Sequence, residues 1–220
     1  MSQRHAPTNP DRRHFLAASA ALGAAAAHAT PSPFAATRAG RIEGFTDAGL
    51  FVFRGIPYGA DTRAHRFAAA PPPLSWDGLR PALQPGPACP QPGGIAEPTG
   101  EDCLVLNVWT PGLRDGAKRP VMVYLHGGEF SSGSGSGPLL DGARLARRGD
   151  VVVVTLNHRL SGLAHLYLGA LDAAFPDAGN AGLLDLVRAL QWVRDHAAEF
   201  GGDAGCVTVF GQSGGGAKIA

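Results

Sequence analysis

The chain has 220 residues, 45% of them hydrophobic and 17% charged, with 19 Lys and Arg against 18 Asp and Glu, for a formal net charge of +1. This is an ordinary soluble globular balance, long enough for one sizeable core. The near-neutral charge argues against nucleic acid or an acidic partner, and no Cys/His cluster has zinc spacing, so no metal site is expected. Residues 1–29 read as an export leader. Met1 to Arg13 is polar and basic, Arg12-Arg13-His14-Phe15-Leu16 is a twin-arginine signature, and an Ala-rich apolar run extends to Ala27. Ala27-His28-Ala29 has the form of a cleavage site. The run is too short to span a bilayer stably. The mature protein is therefore expected in the periplasm or outside the cell, with the twin-arginine machinery as its partner in export. Residues 30–39 are expected to be a mobile start, and residues 40–220 the folded part.

Arg41 to Gly59 reads as short strands and turns. Ala68 to Gly94 is proline-rich and wraps the surface, with Trp76 as a packing anchor. Val105 to Trp109 is a strand, Pro111 to Pro120 a turn, and Val121 to Leu125 a second buried strand. Ser131-Ser-Gly-Ser-Gly-Ser-Gly137 is low-complexity and reads as a flexible loop. Val151 to Leu156 is a continuous β-branched run, which fits a strand buried on both faces. Leu183, Leu186, Val187, Leu190, Val193, Ala197 and Phe200 recur at helical spacing, and Gly201-Gly202 stops that helix. Val207 to Phe210 is a last short strand. The order strand, helix, strand predicts an α/β protein with a mostly parallel central sheet covered by helices.

The last strand runs at once into Gly211-Gln-Ser213-Gly-Gly215. This is the nucleophile-elbow pattern, a serine on a strained strand-to-helix turn. A glycine-rich turn can also hold phosphate, but a P-loop needs Gly-Lys followed by Ser or Thr. Here Gly216 is followed by Ala217-Lys218-Ile219. The second strand leads into His126-Gly-Gly-Glu-Phe130, the strand-to-His-Gly-Gly loop that supplies oxyanion donors in lipases and esterases. Such chemistry needs backbone N–H groups aimed at the oxygen of a tetrahedral intermediate.

With Glu101-Asp-Cys-Leu-Val-Leu-Asn-Val-Trp-Thr-Pro111 added, the sequence resembles the type B carboxylesterases, the family of cholinesterases and many bacterial esterases. Phe200 to Gly215 matches the family's serine signature throughout. Glu101 to Pro111 matches its second signature except at Val105. Phe53 to Gly59, Asn157 to Leu160 and Gly179 to Asp185 are further landmarks, so the likeness runs from about Gly40 to the end. The resemblance implies an α/β-hydrolase fold, here truncated after the nucleophile elbow, because family members are usually more than twice this long. It implies a serine carboxylic-ester hydrolase acting on a small-molecule ester, with no cofactor. Ser213 would be the nucleophile and form an acyl-enzyme. The N–H of Gly214 would face the oxyanion, Gly128 and Glu129 would supply the other donors, and Gly127 would allow the tight loop. Glu129 stands where the family usually has a third glycine.

By resemblance Arg66 pairs with Glu101 and Arg159 with Asp185, tying distant segments together. The family positions matching Cys89 and Cys103 are often bridged, and an exported chain permits that disulfide. Cys206 is expected to stay reduced, as a small apolar residue at a strand entrance. In α/β-hydrolases the triad runs Ser, then Asp or Glu, then His along the chain. No histidine follows Ser213; His126 belongs to the oxyanion loop, and His158, His165 and His196 read as structural. His165 and Ala164 replace a family Phe and Gly, so that loop is expected to pack differently. The 220 residues alone are expected to be inactive, and their strand Val151 to Leu156 to lack cover on one side. Two other readings stay open: a non-catalytic adhesion relative, and an amidase or transacylase using the same serine.

Overall fold

The computed structural model describes Met1 and residues 32–220. The leader signature at Arg12-Arg13 and the Ala27–Ala29 cleavage motif lie outside the described residues. The chain from Ser32 onwards begins with strands β1 (Phe34–Ala36), β2 (Arg41–Glu43), β3 (Phe45–Asp47), β4 (Leu50–Pro57) and β5 (Leu79–Pro81). Then follow β6 (Val105–Thr110), β7 (Arg119–Leu125), helix α1 (Ala143–Gly149), β8 (Val152–Leu156) and α2 (Ser161–His165). The long helix α3 (Ala181–His196), strand β9 (Gly202–Gly211) and the short α4 (Gly214–Ala217) complete the order.

A small sheet has the order β1-β2-β5, and the main one the order β3-β4-β6-β8-β7-β9. In the main sheet, parallel pairing is confined to β8-β7-β9, while β3-β4, β4-β6 and β6-β8 are antiparallel. The described sheet is thus mixed rather than mostly parallel. The right-handed crossover logic that predicts parallel strands applies only where helices connect them, through α1 and α3.

The sheet's two faces carry two cores, because side chains alternate along a strand. Val152, Val154 and Leu156 of β8 join Val121, Val123, Leu106 and Val108 on the face covered by α3. Val153 faces the other way, with Trp109, Leu50, Val52 and Ala146 of α1. Every residue of β6 and β8 is buried, so β8 is covered on both faces. The strand left open is β9, whose middle is exposed and whose outer edge pairs with nothing among the described residues.

Two sequence expectations change here. Residues 30–39 are not a mobile lead-in from Phe34 on: β1 pairs with β2, and Ala35 is fully buried. Short alternating strands such as β1 lack a sequence signal beyond one buried small residue. The α3 stripe is also rotated from the predicted one. Asp185, Ala189, Trp192 and His196 face inward with Leu186 and Val193, whereas Val187 is half exposed. Polar Asp185 belongs to the buried face because it has a buried cation to meet. The helix runs through one tight turn into Gly201, at φ 69°, the left-handed geometry of a helix stop.

Candidate active site

Strand β9 and helix α4 meet at Ser213, which has φ 53° and ψ −122°. A non-glycine residue there is strained by about 1–3 kcal/mol, and surrounding structure must hold it. The hold comes from close backbone packing. A β-carbon on Gly211 would lie 2.6 Å from the carbonyl carbon of Gly215, so strand and helix pass each other with no room for side chains. Ser213 itself is exposed, and its hydroxyl has no hydrogen-bond partner among the described residues.

Strand β7 pairs in parallel with β9, Leu125 opposite Gly211, so the chain leaving β7 emerges beside the elbow. That chain is His126 to Phe130. Gly128 has φ 93° and Glu129 φ 57°, so the loop turns through two left-handed residues. A β-carbon on Gly214 would lie 2.6 Å from the backbone nitrogen of Glu129. Gly214 therefore meets the loop with bare backbone. Among the described residues the N–H groups of Gly128, Glu129 and Gly214 donate no hydrogen bond. Gly127 packs against Gln212 instead. The Glu129 carboxylate forms no ion pair among the described residues, and the residue is exposed.

The segment 131–137 is anchored, which corrects its reading as a flexible loop. The Gly133 N–H donates to Oε1 of Gln91 at 2.8 Å, and Gln91 Nε2 donates to the Gly133 carbonyl at 3.0 Å. The Gly135 N–H donates to Asn157 Oδ1 at 2.6 Å. Ser161 donates from its N–H to the Phe130 carbonyl at 2.8 Å and from its hydroxyl to Ser131 at 3.1 Å. Composition suggested freedom; residues far away in sequence remove it. Gln91 and Ser161 carried no local signal for this role.

The histidines beside the elbow are built as neutral struts. His126 and His158 stack with ring centroids 4.7 Å apart and planes 7° apart. Nδ1 of each lies within hydrogen-bond distance of the next carbonyl, Gly127 at 2.8 Å and Arg159 at 2.7 Å. Burial pushes His126 down to about 4 and His158 well below the usual imidazole range. Their Nε2 atoms are buried without a partner among the described residues. His165 packs edge-on to Phe130, with centroids 5.1 Å apart, and burial lowers it too. His196 accepts from the Arg38 N–H at 3.0 Å. Among the described residues no histidine bonds Ser213.

Arg159 and Asp185 meet inside the protein: Nε and one Nη donate to the two carboxylate oxygens at 2.8 and 2.7 Å. Burial raises the Asp185 carboxyl above its ordinary value, and the bidentate contact opposes that rise. Arg66 and Glu101 also meet, with Nε to Oε2 at 2.7 Å, but at the surface, where such a pair contributes little. Cys89 and Cys103 are buried neighbours. All three cysteines are present as free thiols in this structure. A hydrogen bond to Cys89, with burial, raises the Cys103 thiol well above its ordinary range. Juxtaposition comes from folding, whereas a disulfide requires oxidation. Cys206, expected to stay reduced as a small apolar residue at a strand entrance, is free and exposed within β9.

A strained serine between strand and helix, with a loop of unused N–H donors beside it, defines an α/β-hydrolase. The chain belongs to the carboxylesterase family, whose family model matches residues 31–220. It is 43% identical over 192 residues to the para-nitrobenzyl esterase of Bacillus subtilis (strain 168), covering 84% of this chain and 39% of that protein. It is 43% identical over 199 residues to the phenmedipham hydrolase of Pseudarthrobacter oxydans, covering 86% and 39%. Among solved structures, a Geobacillus stearothermophilus carboxylesterase superposes with a TM-score of 0.80 at 46% identity, over 84% of this chain and 39% of that one. The chain thus spans about 39% of the length of these relatives. Residues 9–27 match the twin-arginine translocation signal sequence. That signal directs the protein to the periplasm or beyond. No described helix is long and apolar enough to cross a membrane.

Proposed function

We propose that the protein containing this chain is an exported serine hydrolase of small-molecule carboxylic esters, with Ser213 as its nucleophile. The observation that carries the reading is Ser213 held at φ 53° against a loop whose Gly128 and Glu129 N–H groups, with that of Gly214, are unspent. The Ser213 hydroxyl oxygen attacks the ester carbonyl as its proton passes to a base. The carbonyl oxygen takes the negative charge and is received by those N–H groups. Collapse expels the alcohol and leaves an acyl-serine, which water then cleaves to the acid. The base is a histidine following Ser213 in chain order, after an intervening acid, as the fold's triad order has it. Glu129 is exposed, and its N–H, unspent among the described residues, is available to the oxyanion.

The test uses the complete gene product, assayed with a short-chain activated ester and labelled with a serine-directed phosphonate. Turnover and labelling are both lost in Ser213→Ala. Turnover that survives this substitution overturns the assignment. Labelling without ester turnover in the unsubstituted protein points to amide or acyl-transfer chemistry at the same serine.

A further inference from the structure

Glu129 occupies a left-handed position, φ 57°, that glycine adopts without strain and glutamate does not. Something must hold it there. Its carbonyl oxygen accepts a hydrogen bond from the ammonium of Lys218. Lys218 lies one helical turn beyond Gly214, its own N–H bonded to the Gly214 carbonyl at 3.1 Å, so the two residues share a helix face. Gly214 abuts the Glu129 backbone from that face, and Lys218 grips the same residue's carbonyl. The ammonium also sits 5.1 Å from the centre of the Phe130 ring, a cation–π contact with the next residue of the loop.

We propose that Lys218 is a positioning residue of the oxyanion hole, clamping the Glu129 peptide in the orientation that presents its N–H and compensating for the missing glycine. The inference rests on Ser213 being the nucleophile. Without the clamp, the strained Glu129 backbone relaxes and the Glu129 N–H leaves its place beside Gly214. The loss falls on the transition state, because the oxyanion forms only there.

The experiment measures kcat and KM of the complete gene product on p-nitrophenyl acetate for Lys218→Met, Lys218→Arg, Glu129→Gly and the Lys218→Met/Glu129→Gly pair. Lys218→Met lowers kcat about tenfold with KM changed less than about twofold, a fraction of the loss for deleting a donor outright. Lys218→Arg retains a donor and recovers most of the rate. Glu129→Gly restores kcat in the Lys218→Met background, because glycine needs no clamp. A residue that only supports the fold would not be rescued in this way. Unchanged kcat in Lys218→Met, or a double variant no faster than Lys218→Met, overturns the proposal. If Lys218→Met does not fold, the rate of the double variant decides: near the unsubstituted rate supports the clamp, and tenfold below it refutes it. Ser213→Ala, run in parallel, separates failure of the clamp from failure of the nucleophile.

Discussion

Arg159 and Asp185 form a bidentate ion pair whose side chains are 1% and 0% exposed, joining the end of β8 to the inner face of α3. Removing one partner leaves the other buried and unpaired, which costs about 3–5 kcal/mol. Asp185→Ala is therefore expected to lower stability severely, as read by urea denaturation. Arg159→Met with Asp185→Leu is expected to cost much less, because no charge is stranded. Equal losses in the single and double variants would show that the pair's worth lies elsewhere.

Acid should loosen the loop before it protonates most carboxylates. His126 is held at about 4 by burial, against an ordinary 6.5. Between those values the unfolded chain binds a proton that the folded protein does not, so stability falls as pH drops from about 6.5 towards 4. The full effect of His126 is about 3 kcal/mol, and His158 acts in the same direction. Urea midpoints at pH 7 and pH 4.5 should differ, and His126→Asn should reduce the difference. An undiminished difference in that variant would clear His126.

Cys89 and Cys103 are expected to be oxidised to a disulfide in the exported protein, with Cys206 left reduced. In the chain-entropy view, closing that loop stabilises by about 3 kcal/mol. Peptide mapping of periplasmic protein without reductant should show the Cys89–Cys103 link, and reduction should lower the melting temperature. A link through Cys206 would contradict the pairing.

The leader makes a prediction independent of the fold. Replacing Arg12 and Arg13 with lysine should strand the precursor in the cytoplasm, and the exported form should begin at Thr30. Normal export of the variant, or a different mature N-terminus, would each remove the corresponding assignment.

The elements with the strongest periodic or β-branched signals were legible from the sequence. β6, β7, β8 and α3 fall where their patterns place them, and the Gly-x-Ser-x-Gly and His-Gly-Gly runs sit at the ends of β9 and β7 as their order requires. β1 and the rotation of α3 were not legible. A strand whose one buried side chain is Ala35 has almost no period to read, and although resemblance pairs Asp185 with Arg159, the helical period gives no sign that Asp185 belongs to the buried face.

By itself the sequence determined the family and where the Gly-x-Ser-x-Gly turn and the His-Gly-Gly loop fall, because these depend on short runs whose backbone geometry is local: a turn that needs Gly211 and Gly215, a strand that needs Val121 to Leu125. The tertiary structure decided what those runs touch. Gln91 and Asn157 anchor a loop that composition alone describes as free, and the Lys218 ammonium donates to the Glu129 carbonyl. Each of these contacts joins residues far apart in sequence, and no local pattern encodes a partner that only the folded sheet brings within hydrogen-bond distance.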